Sequence, residues 1–85
     1  MDVTEIEQIL KDALDLDEVH VNGDGSHYTI IAVSDTFSEM SRVKRQQAIY
    51  APLSEKIADG SMHAISIKTF SVKDWARERQ FNLPQ

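Results

Sequence analysis

Val19-His20-Val21-Asn22-Gly23-Asp24-Gly25-Ser26-His27-Tyr28-Thr29-Ile30-Ile31-Ala32-Val33 is the stretch on which the fold turns. Its first three residues alternate, with His20 between two valines and so pointing away from them, toward solvent. Asn22-Gly23-Asp24-Gly25 is a dense turn signal, because Asn, Asp and Gly accept the backbone angles that a reversal requires. From His27 to Val33 the two faces, Tyr28/Ile30/Ala32 and Thr29/Ile31/Val33, are both largely apolar. A strand apolar on both faces suits the middle of a sheet. The stretch predicts a hairpin whose second strand is central, with His27 at the far edge of its loop.

Upstream, Val3, Ile6, Ile9, Leu10, Ala13 and Leu14 recur at three- and four-residue spacing and predict an amphipathic helix that stops near Asp15 to Glu18. Thr4 with Glu7 fits a capping box. Downstream, Ser34 to Ser38 is polar apart from Phe37 and reads as a connection rich in helix-capping residues. Met40 to Tyr50 turns helical. Pro52 is placed in the first turn of a further helix, where its missing N–H costs nothing, and Asp59-Gly60 ends that helix. Met62 to Phe70 is the third strand, with His63, Ile65, Ile67 and Thr69 on one face. Ser71 with Asp74 starts a last helix, Val72 to Gln80, with Trp75 inward; 81–85 is expected to be a frayed tail.

The predicted order is helix, strand, strand, helix, helix, strand, helix. This is an α/β fold: a three-stranded mixed sheet with helices packed on one face. At 85 residues the chain makes a single domain over 1–85, and nearly every apolar residue is needed for its core.

With 41% hydrophobic and 27% charged residues, the composition is that of an ordinary globular domain. There is no cysteine, so a disulfide framework, a thiol nucleophile and a cysteine-ligated metal site of its own are excluded. The longest apolar runs are short and the N-terminal stretch, with Asp2 and Glu5, is acidic, which predicts a cytoplasmic protein with no membrane span. Net charge is −5, but residues 1–40 carry ten acids and one base, whereas 41–85 carry four acids and eight bases. That division argues against binding nucleic acid over the whole surface and leaves room for a local basic face.

Three histidines are the candidates for metal or acid–base chemistry. If the second and third strands are adjacent and parallel, His27 and His63 begin neighbouring strands about 5 Å apart, and two imidazoles there could converge on one ion. Two ligands do not close a site that wants four, so the remaining donors would come from a partner. Arg42, Lys44 and Arg45 lie on a helix. They read either as a solvated face or as a phosphate-contacting patch, without aromatic interleaving and without a GxxG loop. No nucleophile–base pair is visible, and the chain is expected to be no enzyme.

Four stretches carry a resemblance: 19–28, Val33-Ser34-Asp35-Thr36-Phe37, Ser41-Arg42-Val43-Lys44-Arg45-Gln46-Gln47-Ala48-Ile49-Tyr50, and His63-Ala64-Ile65-Ser66-Ile67-Lys68 with the later Trp75-Ala76-Arg77. In this order and spacing the chain resembles the BolA family, closest to its IbaG-type bacterial branch, over nearly its whole length. Many members carry a glycine where Glu39 stands and an Arg-His-Arg run where Arg45-Gln46-Gln47 stands; the Gln pair is similar to the IbaG branch.

The resemblance implies a fold like class II KH domains and a monothiol glutaredoxin as partner. It implies a non-enzymatic adaptor in iron–sulfur cluster handling, iron homeostasis or stress response. The chain alone would be a monomer and would hold no cluster. In the heterodimer, a 2Fe–2S cluster would be shared with glutaredoxin and glutathione, His63 and His27 being the candidate ligands from this side. Neutral imidazole binds iron, and mixed histidine–cysteine ligation raises the cluster potential above all-thiolate values. The second function is a KH-like nucleic-acid-binding transcriptional regulator using Arg42, Lys44 and Arg45, with weak, non-specific binding expected.

Overall fold

The computed structural model describes residues 3–23, 27–60 and 64–82. Helix α1 (Val3–Ala13) leads into strands β1 (Glu18–Gly23) and β2 (His27–Val33). A 3₁₀ turn (Asp35–Glu39), helix α2 (Arg42–Ala58), strand β3 (Ala64–Phe70) and helix α3 (Val72–Asn82) follow. β1 pairs antiparallel with β2, and β2 pairs parallel with β3, so β2 is the middle of a mixed sheet ordered β1-β2-β3. The central strand has the boundaries that its doubly apolar pattern predicts.

One face of the sheet carries the main core. Val19 and Val21 of β1 and Tyr28, Ile30 and Ala32 of β2 pack against Ile6 and Leu10 of α1, Ile49 and Leu53 of α2, and Phe37. Ser34 caps the 3₁₀ turn: its hydroxyl donates to the Asp15 carbonyl at 2.9 Å and accepts from the Thr36 amide. Among the described residues it is the buried polar one, and these bonds make that burial tolerable. Gly23 ends β1 where the chain passes the Tyr28 ring; an added Cβ would sit 2.8 Å from that ring. At the end of α2, Gly60 has φ 83°, the left-handed conformation that closes a helix at little cost for glycine.

Five details differ from the sequence reading. Residues 42–58 form one helix of 17 residues with Pro52 inside it, not two helices. Proline there removes a helical hydrogen bond and crowds the preceding turn, at a cost of about 3 kcal/mol. Ile49 and Leu53, four apart and fully buried, span the proline and offset that cost by packing into one core. Pro52→Ala is therefore expected to raise stability by about 1–2 kcal/mol, less than the full penalty because proline also restricts the unfolded chain. A urea melt with unchanged slope measures it.

Thr4 lies within α1, not ahead of it, and the Glu7 carboxylate accepts the Val21 amide of β1 at 3.1 Å. The helices are not all on one face: Trp75 of α3 packs with Ile31, Val33 and Phe70, the face of β2 opposite Ile30 and Ala32. His20 points away from the valines as expected, but it is half-buried, its ring 5.5 Å from that of Trp75 and its Nε2 3.4 Å from Glu18 Oε1. α3 also runs through Asn82, past the Gln80 at which the sequence reading ended it. No helix among the described residues is long and apolar enough to cross a membrane.

Candidate functional site

Strand alternation puts His27 and Thr29 on the outer face of β2, away from α1 and α2. On the same face β3 presents Ala64, Ser66 and Lys68, all exposed. α3 covers only the far end of this face, through Trp75 over Ile31 and Val33. The near end, where His27 begins β2, stays open to solvent, beside a shallow hollow of about 130 Å³ lined by Asn22, Gly23, His27 and Thr29.

His27 is exposed, and its Nε2 lies 3.1 Å from the Ser66 hydroxyl across the β2–β3 pair. That bond orients the ring on the sheet surface. Replacing a serine hydroxyl by a metal ion at an exposed nitrogen forfeits only about 0.5–1.5 kcal/mol of hydrogen bonding. In the parallel register His27 stands opposite Ala64, the residue that follows His63 in sequence. The adjacency of β2 and β3 on which convergence of the two histidines depended is thus present. His63 itself lies outside the described residues. Among the described residues no group of three or more His, Cys, Asp or Glu comes together to hold a metal. The donor offered at His27 is one part of a ligand set, to be completed by other groups.

The basic candidates are only partly brought together. Ser41 caps α2, its hydroxyl accepting the Lys44 amide at 3.2 Å. Arg42 and Arg45, three apart, face a groove of about 480 Å³ between the start of α2 and β3, whereas Lys44 is exposed and does not line it. The Arg45 Nε donates to the Met40 carbonyl at 3.2 Å, which fixes the guanidinium over the groove. Ile67, Lys68 and Phe70 form the opposite wall. Lys68 was not among the sequence candidates; a lone lysine in an alternating strand gives no signal until β3 is set beside α2.

The fold and these surfaces define a small sheet-and-helix domain, and comparison with known proteins gives its lineage. The family described as BolA-like protein matches residues 5–74. The chain is 54% identical over 82 residues to the acid stress protein IbaG of Escherichia coli K12, covering 96% of this chain and 98% of that one. BolA1 from Arabidopsis thaliana superposes with a TM-score of 0.73 at 25% identity, covering 85% of this chain and 93% of the other. The solution structure of BolA1 from Mus musculus reaches a TM-score of 0.79 at 22% identity over 98% of this chain and 75% of that one, a likeness of fold. This chain belongs to the BolA family, as the four sequence stretches implied.

Proposed function

We propose that this chain is a non-enzymatic adaptor that binds a monothiol glutaredoxin and helps ligate a 2Fe–2S cluster shared with it and glutathione. Its setting would be iron–sulfur handling within a stress response, in keeping with the acid stress protein to which it is similar. The observation that carries the reading is the exposed imidazole of His27 at the open end of the sheet, beside the strand that His63 precedes. A cysteine-free chain can contribute to an iron–sulfur centre only through nitrogen or oxygen, and imidazole is the donor iron accepts best among those here. When bound, the cluster supplies redox and sulfur-transfer chemistry; His63 and His27 would hold it from this side. Thr29, Ala64 and Ser66 give a flat, small-residue surface against which a second protein can close.

Mixing the purified chain with a cluster-loaded monothiol glutaredoxin and glutathione tests the reading. A heterodimer with altered visible circular dichroism is expected, while the chain alone stays colourless and binds iron weakly. Separate elution with an unchanged spectrum contradicts it.

Nucleic-acid binding through Arg42, Lys44 and Arg45 is the second reading, and the groove beside α2 is what favours it. Of the three, Arg42 and Arg45 line that groove, so few phosphates could be neutralised and only weak, salt-sensitive binding is expected.

A further inference from the structure

The two edges of the sheet are treated differently. At the β1 edge the Val21 amide, which turns away from β2, is taken up by the Glu7 carboxylate of α1 at 3.1 Å. At the β3 edge the ladder fixes which groups turn outward. The Ser34 amide donates to the Phe70 carbonyl at 3.0 Å, continuing the β2–β3 pairing. In a parallel ladder alternate residues bond to the same neighbour, so Ser66, Lys68 and Phe70 direct their N–H and C=O groups toward β2. Ile65, Ile67 and Thr69 direct theirs to the open edge. No hydrogen bond among the described residues reaches those outward groups.

This open edge forms one side of the groove of about 480 Å³ whose other side is the first turns of α2. Arg42 and Arg45 reach into it from α2 and Lys68 borders it on β3, and no carboxylate among the described residues lines it. The geometry points to a docking site for an extended acidic polypeptide segment of a partner protein, which adds to β3 as a fourth strand and sets its carboxylates against Arg42 and Arg45. Strand addition to a free edge draws affinity from main-chain hydrogen bonds and specificity from alternate side chains. A protein segment fits better than a nucleic acid because the edge offers acceptors as well as donors. The carbonyls of Ile67 and Thr69 need N–H partners, and a phosphate chain has none to give. The site lies along the side of β3 away from β2 and does not involve His27, so it goes beyond the cluster reading and stands or falls separately.

The probe is a seven-residue peptide, matched to β3 in length, that alternates glutamate with valine and has blocked ends. Two-dimensional NMR of the whole chain should show the Ile67 and Thr69 amides shifting and gaining protection from exchange. Ser66, Lys68 and Phe70, already bonded to β2, should change little. Arg42→Glu should weaken binding by about tenfold or more, because a like charge then faces the peptide. The same peptide N-methylated at alternate residues keeps its charge but cannot pair with the edge, and should not bind. Equal binding of the methylated peptide, the absence of any shift, or the same protection from a single-stranded oligonucleotide of equal charge overturns the proposal. None of these outcomes bears on the glutaredoxin complex.

Discussion

His63→Ala is expected to abolish the mixed-ligand cluster spectrum of the glutaredoxin complex while leaving the free domain folded. The expectation follows from the ligand arithmetic. His27 is one exposed donor, and the described residues contain no cluster of three or more metal-binding side chains, so losing His63 removes half of what this chain can give. A core-edge histidine would behave otherwise: its removal would cost about 1–3 kcal/mol of folding stability and leave the complex spectrum unchanged. The visible spectrum of the complex and a urea melt of the free chain read the two roles independently. His63→Cys separates them again, since a thiolate still binds iron but moves the centre towards all-sulfur ligation and a lower potential. His27→Ala should give the milder loss, because at an open surface water or another donor can take the vacated position.

Leu53→Ala carries the largest expected effect on folding, about 2–5 kcal/mol. Leu53 is fully buried in the main core, one turn beyond Ile49 and directly after Pro52. Truncation there opens a cavity between α2 and the sheet at the point where packing holds the helix together across its proline. Val43→Ala is the control: Val43 lies on the same helix but is 63% exposed, and its loss should fall within about 0.5 kcal/mol. Urea melts of both variants check the pair. Similar midpoints for the two would mean that α2 does not bury Leu53 as described.

What the sequence made legible and what it hid follow from the range of the forces involved. β2 was readable to the residue because a run apolar on both faces, bounded by a Gly-rich turn and by Ser34, has few other solutions. The crossover rule also constrains α2, since a helix joining two parallel neighbours passes in a single hand. α3 follows β3 without returning to the sheet, so no such rule applies, and Trp75 lies on the face opposite α2. Pro52 misled because the local rule for proline is strong, and only the contacts of Ile49 and Leu53 show that tertiary packing outweighs it. His20 looked solvent-facing for the same reason: the residue that shields it, Trp75, is 55 positions away in sequence. At the candidate site, the parallel adjacency of His27 and the start of β3 could be anticipated. The groove could not, because it exists only where α2 and the open edge of β3 meet.

The central claim is that imidazole from this chain binds the iron of a shared cluster. The most direct measurement is electron–nuclear double resonance on the reduced glutaredoxin complex, prepared with only this chain carrying ¹⁵N-labelled histidine. The account predicts ¹⁵N hyperfine coupling of the strength given by directly ligated imidazole, lost in His63→Ala. A spectrum in which labelling this chain changes nothing would contradict it.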